Sequence, residues 1–211
     1  MISRRALIML AACCLSSEAQ ADDGSALAQR IFQVIDALDV EDNWPAGVHV
    51  DWQTGVPDGR YVAPGHKDTH CSAFVAAAAE HLGVYILRPP EHGQVLLANA
   101  QADWLAGEGA AQGWTALPDM YAAQAAANAG QLVVASYKNP DDDRPGHIAI
   151  VRPSQKSQDQ ITSDGPDITQ AGLKNFFHTT VRAGFADHRN AFAGNGILYY
   201  AHAVDPAALP A

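Results

Sequence analysis

The chain has 211 residues, 48% of them hydrophobic, with 13 Lys and Arg against 23 Asp and Glu for a formal net charge of −10. That length supports one domain with a substantial core. The acidic balance works against phosphate backbones and anionic surfaces, so nucleic acid is not an expected partner.

At the N-terminus, Arg4 and Arg5 precede an apolar run, Ala6 to Leu15, that is too short to span a bilayer. Ala19-Gln20-Ala21 then supplies the small-x-small pattern that a signal peptidase cuts after. Residues 1–21 are therefore expected to be a signal peptide, and 22–211 a single domain that is periplasmic or secreted. Leu10-Ala11-Ala12-Cys13 also fits a lipobox, which would anchor the protein by a lipid on Cys13 instead. Without Arg4, Arg5 and Glu18, 11 basic and 22 acidic residues remain, a net charge of −11. Nothing downstream reads as a transmembrane segment.

Leu27, Ile31, Val34, Ile35 and Leu38 recur at helical spacing and predict a helix over Ser25 to Asp39. Residues 42–68 are rich in Pro and Gly and read as ordered loop. A second helix is expected from Cys71 to Leu82, with Thr69 or His70 near its N-cap and Gly83 as its stop. Two more are expected over 91–107 and 118–129, with Pro118 in a first turn and Gly130 at a C-terminal cap. Strand patterns then follow at Leu132 to Tyr137, His147 to Arg152, weakly at Gln160 to Thr162, at Asp167 to Ala171 and at Ile197 to Ala203. Helices first and strands after imply an α+β fold with a largely antiparallel sheet of about five strands. Asp141-Asp142-Asp143 lacks the alternate spacing of calcium ligands and reads as a solvated hairpin tip.

Beyond the leader, Cys71 is the only cysteine. It cannot form an internal disulfide, and an unpaired thiol outside the cytoplasm is exposed to oxidation. At the first turn of a helix, free N–H groups and the dipole favour a thiolate, and the same groups could hold an oxyanion. Nucleophilic catalysis is the expected role, against an inert core cysteine that shares a stripe with Phe74, Val75, Ala78 and Leu82.

His147 is the candidate base, because it opens a strand and a general base needs a rigid mount. Alternation places it with Ala149 and Val151, small residues that would leave room for the helix N-terminus, and opposite Ile148 and Ile150. Gln170 is polar among apolar neighbours and could accept the imidazole N–H; Asp164, Asp167 and Asn175 are its rivals. Zinc held by His66, His70, Cys71 and His147 is a competing reading. The two loop histidines, however, lack a helix to align them, so neither metal nor cofactor is expected.

Cys71-Ser72 at a helix start, Gly146-His147-Ile148-Ala149-Ile150-Val151 on a strand and the polar-Ala step Gln170-Ala171 resemble the papain-like cell-wall cysteine peptidases and amidases, of NlpC or CHAP type. The likeness covers roughly Tyr61 to Ala203. It implies a papain-like fold with N-terminal helices packed on the sheet, and Cys71, His147 and Gln170 as nucleophile, base and third polar residue. It also implies peptidoglycan or its peptide fragments as substrate. Where NlpC-type enzymes carry Asp-Cys this chain has His70-Cys71, and their upstream Tyr-x-x-Gly-Gly is absent, Tyr61 standing nearest to it. Tyr61, His70, Ser72, Trp104 and Trp114 are the candidate substrate contacts. The same features fit an acyltransferase or transglutaminase-like enzyme, or a non-catalytic envelope-binding module.

Overall fold

The computed structural model describes residues 26–63, 68–188, 190–194 and 196–210. The expected signal peptide, the lipobox at Cys13 and His66 lie outside the described residues. Among the described residues no helix is long and apolar enough to cross a membrane.

The molecule is α+β: among the described residues six α-helices accompany one open, fully antiparallel sheet. Helix α1 covers 26–36, stopping short of the expected Asp39, where the chain turns through a left-handed conformation. It buries Ile31 and Ile35 of the predicted stripe, together with Phe32. The loop that follows carries only an isolated bridge, Val50 to Pro57. Helix α2, Cys71–His81, is buried at every position from Cys71 to Ala79. A helix apolar all round belongs in an interior, and the run Ala76 to Ala79 is small enough for neighbours to close on every side. It stops at Gly83, whose φ of +70° is left-handed, as expected.

Helix α3 (Leu97–Ala106) is shorter than the expected 91–107, because the chain turns through a left-handed Leu96 before the helix begins. Strand β1 (Thr115–Leu117) and helix α4 (Met120–Asn128) follow. Asp119 is the N-cap of α4 and accepts from the Tyr121 and Ala122 amides, so Pro118 precedes the helix instead of sitting in its first turn. Strands β2 (Gln131–Tyr137) and β3 (His147–Val151) form a hairpin.

The weak strand expected at 160–162 is instead helix α5, Gln158–Asp164. Ser157 and Gln160 form a reciprocal capping box, and that local pairing outweighs a weak β preference. Strand β4 (Asp167–Gln170), strand β5 (Phe176–Thr180), helix α6 (Val181–Gly184) and strand β6 (Ile197–Ala203) complete the fold. The sheet therefore has six strands in the order β1-β6-β2-β3-β4-β5, with the unforeseen β1 and β5 at its two edges.

Helices cover both faces. On one, α1 and α2 pack with Leu132, Val134, Ile148, Ile150, Ala171 and Tyr200. On the other, Ala123 and Ala127 of α4 and Val181 of α6 pack with Val133, Ala135, Ala149, Val151 and Ile168. The N-terminal helices do pack on the sheet, but a second helical layer lies opposite them. This explains why β2 and β3 read as almost unbroken apolar runs.

Candidate active site

The start of β3 is built around Gly146. A Cβ there would lie 2.2 Å from the Tyr137 carbonyl oxygen and 2.5 Å from Asn99 Oδ1, so only glycine lets the hairpin close. Asn99 ties the returning loop from both ends: its Nδ2 donates to the Arg144 carbonyl at 2.9 Å and its Oδ1 accepts the Asn139 amide at 3.1 Å. The loop tip is solvated, and its acids pair locally, Asp141 with Arg144 and Asp142 with Lys138.

His147 is 4% exposed and its Nε2 lies 2.9 Å from Gln170 Oε1. Gln170 Nε2 donates to the Lys174 carbonyl, which turns the amide oxygen toward the ring. The oxygen can only accept, so Nε2 carries the proton and Nδ1 keeps its lone pair. Phe185 meets the ring edge-on at 4.6 Å and 74°, and His188 stacks on it at 5.1 Å and 18°. Burial pulls the His147 pKa down to about 4, against the Gln170 bond and the Asp187 charge, which favour the imidazolium. At neutral pH the imidazole is uncharged.

Cys71 is 3% exposed. Burial raises its thiol pKa, and the dipoles of the nearby Ile148, Ser72 and Cys71 amides and of the Ser72 side chain, which favour the thiolate, offset this only in part. The expected lowering by the helix N-terminus is thus overturned, because desolvation of a fully enclosed thiolate exceeds what a few amide dipoles return. Among the described residues no hydrogen bond joins the sulfur to the His147 ring. The two residues meet across a strand: Tyr137, opposite His147, packs with the α4 and α6 layer, whereas α2 approaches on the Ile148 and Ile150 face. The face of small residues expected to admit the helix is covered by α4 and by Phe185, following α6. The Ile148 amide, next in the chain to His147, is the group of β3 that bears on the thiol.

The third-residue candidates separate cleanly. Gln170 touches the imidazole. Asn175 clamps the loop after α1, donating to the carbonyls of Val40, Asn43 and Trp44. Asp167 is buried in an ion pair with Lys156 at 2.5 Å and also meets His178 at 3.1 Å. Asp164 ends α5, away from the ring. For the zinc set, His70 Nε2 donates to the Val48 carbonyl at 2.8 Å, and among the described residues no three His, Cys, Asp or Glu side chains converge.

A groove of about 1110 Å³ has Asp68, Thr69 and His70, the residues before Cys71 in the chain, in its lining, while Cys71, His147 and Gln170 are outside it. Its walls include Trp52, Arg88, Gln94 and, from the β2–β3 loop, Asp143 and Pro145. Six carboxylates line it against Arg60 and Arg88, so it favours cationic or neutral ligands over anionic ones. His70 is the expected substrate contact that the groove contains. Ser72 is buried beside the thiol, and Tyr61 is 83% exposed and outside the lining. Trp114 is buried with its Nε1 donating to the Tyr85 carbonyl, so it supports the core instead of lining the groove. Trp104 packs edge-on to Tyr85 beside a smaller hollow of about 500 Å³. Phe185 and His188, which enclose the imidazole, carry no periodic or motif signal in the sequence.

No protein-family model matches this chain, and no curated protein matches it significantly.

Proposed function

We propose that this protein is an exported cysteine hydrolase of papain-like type that cleaves amide bonds in the peptides of peptidoglycan. The observation that carries this reading is the His147–Gln170 bond, which holds Nε2 and leaves Nδ1 its lone pair, on the strand whose Ile148 amide bears on the Cys71 thiol at the start of α2. The groove that includes His70 has room for an extended peptide, and its carboxylates favour one bearing free amines.

Because the thiol is raised and the imidazole lowered, the resting pair is neutral. With the ring and the sulfur on opposite faces of the sheet, a shift at the start of β3 that brings them together must precede proton transfer from Sγ to His147 Nδ1. That transfer accompanies attack on the carbonyl carbon, which forms the S–C bond and pushes the C=O electrons onto oxygen. N–H groups at the start of α2 hold that oxyanion. As the C–N bond breaks, His147 returns its proton to the leaving amine. Water then attacks the thioester, losing a proton to Nδ1, and the carboxylate product leaves as the thiol is restored.

The test is a digest of purified peptidoglycan followed by mass analysis, with Cys71→Ala as control. Release of peptide fragments by the wild type alone is expected. Added amine appearing in the product would assign an acyltransferase, and intact substrate would remove the hydrolase reading. The burial of Cys71 at 3% exposure favours one other reading, a binding module that keeps the fold; retention on peptidoglycan without turnover would establish it. N-terminal sequencing of envelope material should find Asp22 first, with a lipid-modified Cys13 indicating the anchored form.

A further inference from the structure

We propose that His188 is a positioning residue, one that fixes the plane of the His147 imidazole and keeps water from it. The inference rests on the reading of His147 as the base. His147 is the first residue of β3, and pairing of β3 with β4 is made at Ile150 and Val151, so the neighbouring strand leaves the ring's end of the strand open. The Gln170 bond fixes the position of Nε2 but not the tilt of the ring about it. Two ring contacts supply what that bond cannot. Phe185, fully buried, sets the edge, and His188 lies nearly parallel over the face at 5.1 Å. His188 is itself backed by the Tyr137 ring at 5.4 Å.

The groups facing the imidazole are the Gln170 amide from β4, Tyr137 from β2, and Asp187 and His188 from the turn after α6, with the Cys71 thiol on the other side of the strand. Among these the Gln170 bond and, more weakly, Asp187 favour a charged imidazole. Two stacked imidazoliums repel, so a proton on either ring opposes one on the other, and burial together with His147 pulls His188 down to about 4. A neutral flat ring is therefore what His147 meets throughout the neutral range. A phenyl ring could do the same work, whereas a methyl group would open the face to water.

The experiment follows the His147 ring by NMR across pH in wild type, His188→Ala and His188→Phe, with His147→Gln assigning the signal. Single-turnover acylation of Cys71 by an activated peptide ester is measured in parallel. The expected result is a His147 midpoint that rises by at least a pH unit in His188→Ala and stays near wild type in His188→Phe. Acylation should fall roughly ten- to hundredfold in the first variant and little in the second. An unchanged midpoint in His188→Ala overturns the proposal. Should that variant not fold, His188→Phe decides: a wild-type midpoint supports the role of the ring, and a displaced one overturns it. A wild type inert to the ester would remove the hydrolase reading, while the same midpoints still decide the role of His188.

Discussion

Cys71 stands where a helix dipole and free amides favour a thiolate, yet its pKa rises, because the sulfur is enclosed and desolvation is the larger effect. Alkylation by iodoacetamide should accordingly be slow at pH 7 to 8 and titrate with a midpoint above 9.0, the unshifted value; a midpoint below that would mean the thiol is more open in solution than in this fold. Gln170 presents a different balance. Gln170→Ala leaves the buried His147 Nε2–H without an acceptor, at a cost of about 1–3 kcal/mol in stability. It should slow acylation of Cys71, though less than His147→Ala does, since an imidazole in a less populated orientation still accepts a proton. Gln170→Asn should fall between wild type and alanine. Asp167→Asn should leave acylation nearly unchanged while lowering Tm, because Lys156 loses its buried partner. An aspartate variant that lost more activity than Gln170→Ala at equal stability would displace Gln170 from its role.

Two glycines show how elements are joined to the site. Gly146 admits the Tyr137 carbonyl at the base of the β2–β3 hairpin, and Gly184, the last residue of α6, lies against the Gln170 amide and Ile168. A Cβ at 184 would stand 2.4 Å from Gln170 Oε1 and 2.7 Å from Ile168 Cδ1. Gly184→Ala should therefore push Gln170 off the imidazole and reduce acylation by a factor like that of Gln170→Ala, with a smaller loss of Tm than Gly146→Ala. The comparison of the two variants by thermal melting and single-turnover kinetics checks this, and an active Gly184→Ala would show that the amide can shift without consequence. Gly146→Ala meets backbone, which cannot swing aside, so several kcal/mol of destabilisation are expected.

Over the whole molecule, the buried histidines couple stability to acid. The folded His147 binds a proton only near pH 4, whereas the unfolded chain binds one below about 6.5. Between those values the unfolded state holds more protons, so stability present at neutral pH is lost as pH falls through that window. The loss due to His147 is on the order of 3 kcal/mol. His147→Gln should flatten the dependence of the urea midpoint on pH between 6.5 and 4, and a slope equal to wild type would show that other groups carry it.

The sequence by itself determined the α+β class, the order of α1 to α4 and of the strands β2, β3, β4 and β6, the lone thiol at a helix start and the glycine-led strand with its histidine. These are local properties: helical periodicity in α1, alanine content in α2, and steric demands that only Gly146 meets. The polar position at Gln170 was also legible, because alternation put one amide on an otherwise apolar face. The six-strand count was not, since the edge strands β1 and β5 are short or half-exposed and carry little pattern. A capping box decided α5 against its weak strand signal. Tertiary structure alone decided that the thiol and the imidazole lie on opposite faces of the sheet, and that burial outweighs the helix dipole at the sulfur. It also brought Phe185 and His188 onto the imidazole, because a contact across some forty residues of chain leaves no periodic trace in the sequence.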